Sequence, residues 1–307
     1  MKNKQICVLG AGLMGVGIAT HFARFGYDIW LYDTDSSRIA EISLIASGIV
    51  DELIATEQFA LSEKASVMNR LHGTTSLQDI AACGLLIEAI PERLELKHAL
   101  YSQLEELIAP EAVIASNTSG LPPDALAEKL AHPERLLIAH FWNPPHFIPL
   151  VEIVPGTATK AEYLHELQQL LLSMQLEAVV LDRAAPGFVG NRLQFALLRE
   201  ALHIVKSGIA SAEVVDQVMR ASLGRRYAMV GPLEAADMTG LSTVQDICQH
   251  LLPTLATGSD MMSLVADKVA NGDTGLRSGQ GFYRWDDSRK EYIQQRREHQ
   301  LRFALKP

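Results

Sequence analysis

The sequence predicts an α/β fold: a Rossmann-like doubly wound sheet with a projecting helical hairpin, followed by a smaller all-α domain. Short β-rich runs alternate with helical periodicity up to about residue 182, as a doubly wound parallel sheet requires. A glycine-rich turn joins the first run to the first helix, and strand signals stop after Pro186. These observations divide the chain into predicted domains of residues 1–183 and 184–307.

The glycine-rich turn is the strongest motif. An apolar run, 6–9, leads into Gly10-Ala11-Gly12-Leu13-Met14-Gly15 and then into a helix. Gly10 permits the tight turn, Gly12 lets a pyrophosphate approach the backbone, and Gly15 lets the helix pack against the strand. Free N–H groups at the helix start, where Leu13 and Met14 lie, then point at the phosphates. The turn predicts a dinucleotide site.

An acidic residue selects the cofactor. Asp33 ends the second predicted strand about twenty residues after the glycines, where a carboxylate accepts hydrogen bonds from the adenosine ribose. Because it would repel a 2′-phosphate, NAD is predicted rather than NADP. Two alternatives remain at this point: Asp33 caps the helix that begins near Ser36, or Arg38 contacts a 2′-phosphate.

Composition excludes several function classes. The 307 residues are 48% hydrophobic, enough for two packed domains, and the formal net charge is −9. No basic run suggests nucleic-acid binding, and no apolar stretch approaches the length of a membrane span. The first strand begins at once, so no signal peptide is expected and a cytoplasmic location is predicted. Three widely separated cysteines are expected to be reduced core residues, and no metal site is predicted.

The remaining elements follow from periodicity. Residues 36–71 read as a helical hairpin, longer than a simple crossover needs. Apolar residues between Leu193 and Val205 mark one helix face, and Gly208 ends that helix. Residues 289–302 are either a helix or a loose tail. The other strand candidates are 28–33, 85–89, 113–116, 136–140, 150–154 and 178–181, and the other helix candidates are 212–222, 242–252 and 261–271.

Polar residues follow the predicted strands, where α/β sheets bind ligands. Glu152 interrupts an apolar strand and needs a partner, for which His140 is the economical choice. A His–Glu pair suits alcohol oxidation, because the imidazole takes the hydroxyl proton while the carboxylate orients it. Ser119 and Asn191 could then hydrogen-bond the substrate oxygen. Spacing alone leaves function open, since a core histidine and helix caps would explain the same residues.

Several ordered blocks carry a family resemblance. The chain resembles the NAD-dependent L-3-hydroxyacyl-CoA dehydrogenases nearly from end to end, including the branch of L-gulonate 3-dehydrogenase and lambda-crystallin. The blocks that carry it are Gly10–Gly15, Glu88-Ala89-Ile90-Pro91-Glu92, Ser116-Asn117-Thr118-Ser119, His140-Phe141-Trp142-Asn143-Pro144, Val151-Glu152-Ile153-Val154, Gly187-Phe188-Val189-Gly190-Asn191-Arg192 and Gly279-Gln280-Gly281-Phe282-Tyr283.

The resemblance implies roles for the residues. His140 would be the general base and Glu152 its partner, while Ser119 and Asn191 would hold the substrate oxygen. The predicted cofactor contacts beyond the glycine turn are Asp33, Glu92 and Lys97 near the ribose side, Asn117 near the nicotinamide, and Asn143. The first domain would bind NAD, and the second would close the site on a small-molecule substrate and form a homodimer.

The resemblance also implies two substrate classes. A short L-3-hydroxyacyl-CoA is the main expectation, with Lys64 and Arg70 of the hairpin as candidates to contact a CoA phosphate. The segment 224–234 is closer to the branch whose substrates carry no CoA, and there Arg225 or Arg226 could pair with a free carboxylate such as that of L-gulonate. A non-catalytic, crystallin-like NAD-binding protein is the alternative from a different class.

Overall fold

One eight-stranded sheet organises the first part of the chain. The computed structural model describes residues 5–303. The strand order is β3-β2-β1-β4-β5-β6-β7-β8, and the order reverses direction between β1 and β4, which is where ligands bind in such sheets. The strands are β1 Gln5–Leu9, β2 Ile29–Tyr32, β3 Leu71–Thr74, β4 Cys83–Glu88, β5 Val113–Ser116, β6 Leu136–Phe141, β7 Leu150–Pro155 and β8 Glu177–Val180.

Helices cover both faces of this sheet. One apolar cluster joins the strands to Phe22 of α1 and Leu167 of α6. The other joins them to Tyr101 and Leu104 of α4. The sheet is thus the middle layer of three, and the predicted Rossmann-like fold is confirmed. The helices of this part are α1 Leu13–Arg24, α2 Ser36–Ala55, α3 Lys64–Met68, α4 Leu94–Glu105, α5 Pro123–Ala127 and α6 Ala161–Leu172.

The strands form at the predicted positions, but one neighbouring pair does not have the predicted relative direction. All seven predicted strands form, each within two residues of its expected ends. The expectation of a wholly parallel sheet is wrong, because β6 and β7 pair antiparallel. Their connection, residues 142–149, is shorter than the dozen or so residues that a parallel crossover needs. Sequence reasoning also missed β3, whose short run Leu71–Thr74 carries no clear apolar alternation.

The predicted helical hairpin has one long and one short arm. Its long arm, α2, has 20 residues, and its return arm is a single 3₁₀ turn, Leu61–Glu63, followed by α3. Val50 of α2 and Val67 of α3 pack with Ala23 of α1 in one apolar cluster. The hairpin is therefore anchored on α1, the helix that follows the glycine turn.

The rest of the chain is helical. One compact unit comprises Gly190–Gln295, and the described residues after Gln295 group with the described residues up to Val189 in the other unit. The domain boundary at residue 183 stays a prediction. Two helices, α9 and α10, were missed because they have only four and eight residues, too few to show a periodic apolar face. The possible loose tail, residues 289–302, lies in the helix α13. The helices are α7 Gly190–Lys206, α8 Ala212–Ala221, α9 Leu223–Arg226, α10 Pro232–Thr239, α11 Leu241–Leu251, α12 Ser263–Ala270 and α13 Asp287–Phe303.

Among residues 5–303, no helix has the length and apolar character needed to cross a lipid bilayer.

Two glycine substitutions test the packing at the start of α1. An added Cβ at Gly15 would lie 1.8 Å from the Gly10 carbonyl oxygen, whereas one at Gly48 in α2 would meet nothing within 4 Å. Gly15→Ala should therefore lower the free energy of unfolding by about 3 kcal/mol or more, through overpacking against backbone. Gly48→Ala should raise it by about 0.5–1 kcal/mol, because alanine favours a helix interior. Urea unfolding followed by circular dichroism measures both, and equal stability of the two variants would contradict the close approach.

Candidate active site

The glycine turn forms an open cradle at the switch point of the sheet. Gly10 has φ +103°, and a Cβ there would lie 2.7 Å from the Ala89 carbonyl oxygen. Packing therefore requires glycine at this position. Gly12 differs, because the nearest atom to a Cβ there is Arg38 Nη1 at 3.5 Å, and the rest of that space is open. Gly12 faces outward at the N-terminus of α1, so the space is available to a phosphate.

Asp33 connects the cradle to the second strand. Its Oδ2 accepts a hydrogen bond from the Ala11 N–H at 2.9 Å, and its Oδ1 accepts one from the Asp35 N–H at 3.0 Å. The alternative that Asp33 caps α2 is wrong, because Asp35 is the N-cap and accepts from the Ser37 N–H. An acid beside a glycine turn and open N–H groups is the donor and acceptor set that a dinucleotide requires, so these residues fit NAD.

The antiparallel pairing of β6 and β7 places His140 directly opposite Glu152. His140 Nδ1 lies 3.0 Å from Glu152 Oε2, and the two residues are 6% and 1% exposed. An ionised carboxylate as partner favours the tautomer that carries its proton on Nδ1. That tautomer leaves Nε2 with a lone pair, so the pair can take a proton from a bound hydroxyl group.

The Glu152 carboxylate also accepts hydrogen bonds from groups outside the paired strands β6 and β7. The Val189 N–H donates to Oε1 at 2.9 Å, and Trp142 Nε1–H donates to Oε2 at 3.3 Å. Phe188 packs on the His140 ring with 5.4 Å between ring centroids. Sequence reasoning did not single out Trp142, Phe188 or Val189. For Trp142 a signal existed, since strand alternation places it on the same face as His140.

A buried ionic network lies at the ends of β4 and β5. Lys97 Nζ is 2.8 Å from both oxygens of Glu88, and the two residues are 1% and 0% exposed. Tyr101 OH and Ser116 Oγ also donate to Glu88 Oε2, at 2.8 and 2.6 Å. Burial, and then the charge of Glu88, raise the pKa of Tyr101 well above its ordinary value. The phenol therefore stays protonated and remains a donor to the carboxylate.

Glu92 joins this network to the loop after β5. Its Oε2 lies 3.2 Å from Lys97 Nζ, and its Oε1 accepts from Thr118 Oγ1–H and from the Ser119 N–H at 3.1 Å. Partial burial opposes ionisation of Glu92, but the Thr118 hydrogen bond and the Lys97 charge outweigh it and hold the pKa of this carboxyl below its ordinary value. Ionised Glu92 thus fixes the backbone that carries Ser119.

The structure brings some of the predicted site residues together. Asn117 Oδ1 accepts from the Phe141 N–H at 2.8 Å, which places the amide at the end of β6 beside His140. Ser119 is exposed on the loop that Glu92 holds, and Asn143 is exposed directly after Trp142. Lys97 is buried and engaged by two carboxylates. Asn191 lies in the first turn of α7, in the second unit.

The two hairpin cations suggested for a CoA phosphate have partners within the protein. Lys64 Nζ lies 2.6 Å from Asp51 Oδ1. Arg70 Nη1 donates to the Gly26 carbonyl at 3.0 Å and lies 3.9 Å from Asp28. Either cation would have to leave or share these contacts to bind a phosphate.

Two family models match consecutive parts of the chain. Residues 5–184 match the model of the 3-hydroxyacyl-CoA dehydrogenase NAD-binding domain. Residues 187–285 match the model of the C-terminal domain of the same enzymes. The chain belongs to the 3-hydroxyacyl-CoA dehydrogenase family. It is accordingly an NAD-dependent oxidoreductase that acts on CH–OH groups, and the predicted family, enzyme class and cofactor are confirmed.

Named relatives differ in their substrates. The chain is similar to a probable 3-hydroxybutyryl-CoA dehydrogenase of Deinococcus radiodurans, with 35% identity over 91% of this chain and 99% of the relative. It is similar to 5-formyl-3-hydroxy-2-methylpyridine 4-carboxylate 5-dehydrogenase of Mesorhizobium japonicum, with 29% identity over 97% and 96%. A crystal structure of an enzyme of that second name, described as an NAD⁺-dependent dismutase, matches with a TM-score of 0.88, 30% identity and coverage of 96% and 95%.

Lysine substitutions test the buried network. Lys97→Met should lower the free energy of unfolding by about 3–5 kcal/mol, because it leaves the Glu88 charge buried without its cation. Lys64→Met is the matched control and should change it by less than about 1 kcal/mol, since its ion pair with Asp51 is solvent-exposed. Chemical unfolding measures both free energies. A similar loss of stability in the two variants would show that the buried Lys97–Glu88 pair contributes no more than an exposed ion pair.

Proposed function

We propose that the protein interconverts a short L-3-hydroxyacyl-CoA and the corresponding 3-ketoacyl-CoA, with His140 as the general base. The buried contact between His140 and Glu152 is the observation that carries this proposal. Nε2 of His140 takes the hydroxyl proton as the C–H bond on the same carbon breaks. The Glu152 carboxylate holds the ring through Nδ1–H and stabilises the imidazolium that forms.

Bound NAD⁺ supplies the hydride acceptor. The substrate therefore loses a hydride and a proton and becomes a ketone, and His140 passes its proton to solvent before the next turnover. In the reverse direction the imidazolium donates that proton to the carbonyl oxygen. The residues of this chain thus act on the proton and on orientation.

Other residue roles are carried by the resemblance to the family. Ser119 and Asn191 are proposed to donate hydrogen bonds to the substrate oxygen. Asp33 is proposed to bind the adenosine ribose, a role supported by its place beside the open cradle at Gly12. Glu92 and Lys97 are proposed near the ribose, and Asn117 near the nicotinamide. Lys97 would act chiefly through Glu92, since it is itself buried.

A free hydroxy acid is the second candidate substrate. The solved relative with a TM-score of 0.88 carries a pyridine carboxylate, not a thioester, in its name. Lys64 and Arg70, the cations suggested for a CoA phosphate, already have partners. Arg225 and Arg226 of α9 are the proposed partners of such a free carboxylate. Both candidates share the same chemistry at the hydroxyl-bearing carbon.

A substrate panel separates these candidates. Formation of NADH is measured with L-3-hydroxybutyryl-CoA and with L-gulonate as the two substrates. A higher kcat/KM on the thioester supports the first proposal, and a higher value on the sugar acid supports the second. If the acid is preferred, Arg226→Met or Arg225→Met should raise its KM. NADH binding without turnover on either substrate would favour the non-catalytic, crystallin-like alternative.

Substitution of the base tests the mechanism. His140→Gln should lower kcat by about 10²–10⁴-fold, because the proton acceptor is lost, while NADH affinity stays near that of the wild type. His72→Gln, at a half-exposed histidine on β3, is the matched control and should leave kcat unchanged. Near-normal turnover of His140→Gln would remove His140 as the base.

We also propose a homodimer formed through the helical unit. Within Gly190–Gln295, the buried apolar side chains are limited to Leu202, Ala256 and Met261 among the described residues. Exposed apolar side chains of the same unit include Phe195, Leu198, Val218, Ile247 and Leu251. Such surfaces are typical of an interface between subunits. Sedimentation equilibrium tests the proposal, and a monomer at micromolar concentration would overturn it.

The cytoplasmic location stays a prediction.

A further inference from the structure

One carboxylate oxygen at the candidate site has two side-chain donors. Glu152 Oε2 accepts from Trp142 Nε1–H at 3.3 Å and lies 3.0 Å from His140 Nδ1. The other oxygen, Oε1, accepts from the Val189 N–H. The indole N–H and the backbone N–H can only donate hydrogen bonds. Each of them therefore reduces the negative charge that the carboxylate presents to the imidazole.

The strand geometry explains why the indole reaches this carboxylate. His140 lies in β6 and Trp142 directly follows the last residue of that strand, Phe141, so along the extended backbone their side chains leave the same face. Glu152 is the register partner of His140 on β7. The rings of His140 and Trp142 lie 5.9 Å apart at an angle of 55°, which lets each point a nitrogen toward the carboxylate.

We propose that Trp142 is a positioning residue that sets how strongly Glu152 holds the proton on His140. This inference rests on the proposed role of His140 as general base. Trp142 shares the negative charge of Oε2 with the imidazole and limits its attraction to the imidazolium. The N–H of the indole, rather than its bulk, has this effect, since phenylalanine would fill much of the same space without a donor.

Among the described contacts of the His140 ring, the charged partner is Glu152. Glu152 faces the ring from β7, and the segment before α7 contributes the apolar Phe188. The residue directly after β5 is the uncharged Asn117, which accepts from the Phe141 N–H. The Glu88 carboxylate is paired with Lys97. A change in the donors to Glu152 should therefore change the proton affinity of the imidazole directly.

The direction of the effect follows from charge. In Trp142→Phe the carboxylate loses a donor, so its full charge stabilises the imidazolium more strongly. The ring then holds its proton to higher pH, and the acid limb of the kcat/KM profile for alcohol oxidation should move up by about half to one pH unit. A purely structural loss would instead lower the rate at every pH without moving the limb.

The kinetic experiment compares two tryptophan variants. The kcat/KM profile of alcohol oxidation is measured from acid to neutral pH for the wild type, Trp142→Phe and Trp30→Phe, on whichever substrate the panel selects. Trp30 lies on β2 and packs on His72, so its variant should keep the wild-type midpoint. An unmoved acid limb in folded Trp142→Phe would overturn the inference, provided the His140 titration described next is also unmoved.

A spectroscopic experiment makes the test independent of turnover. The titration midpoint of the His140 ring is followed by NMR and assigned by its loss in His140→Gln. It should rise in Trp142→Phe by the same amount as the acid limb. If the ring midpoint rises while the kinetic limb stays, Trp142 has the inferred role and His140 is not the base. If neither moves, the inference is wrong.

The wild-type protein provides a readout that needs no variant. The chain has three tryptophans, Trp30, Trp142 and Trp285. The indole N–H resonance of Trp142 should shift with pH at the His140 midpoint, because both groups share Oε2, while those of Trp30 and Trp285 should not follow it. A Trp142 resonance that ignores the His140 titration would overturn the inference even if Trp142→Phe does not fold.

Discussion

A buried carboxylate on β7 is the constraint on which the candidate site depends. Glu152 is 1% exposed in a strand that is otherwise apolar, and an unpaired charge there would cost several kcal/mol. The antiparallel register supplies His140 opposite it, and Trp142 and the Val189 N–H are further donors. The same contacts that make the charge tolerable also fix the imidazole, so stability and chemistry are served by one arrangement.

A second buried carboxylate, Glu88, has a different role. Its partners are a lysine, a phenol, a hydroxyl group and a backbone amide, all within 2.9 Å. Through Lys97 the network reaches Glu92, which holds the loop that carries Ser119. A fully partnered ionic network of this kind favours one arrangement, because the loss of Lys97 would leave the Glu88 charge buried without a cation. The carboxyl ends of β4 and β5, beside the glycine turn of the NAD site, are therefore held by hydrogen bonds as well as by apolar packing.

Local patterns predicted the parts of the structure that depend on near neighbours in the chain. The glycine turn, Asp33 at the end of β2 and the seven expected strands follow from spacing and alternation, which act within a few residues. β3 and the antiparallel direction of β7 were not predicted. The pairing of β3 with β2 depends on residues about forty positions apart, and the direction of β7 depends on the length of its connection.

Residue types and their spacing were enough to predict the fold family, the nucleotide turn and His140 and Glu152 as candidates, because each depends on a local pattern. Which groups share each charge is visible in the folded protein alone. There, Trp142 and the Val189 N–H donate hydrogen bonds to Glu152, and Lys97 lies buried between Glu88 and Glu92. Asp35 rather than Asp33 caps the helix α2. The physical reason is that a side-chain partner is chosen by distance and direction in space, and neither is fixed until the strands have paired and the helices have packed on them.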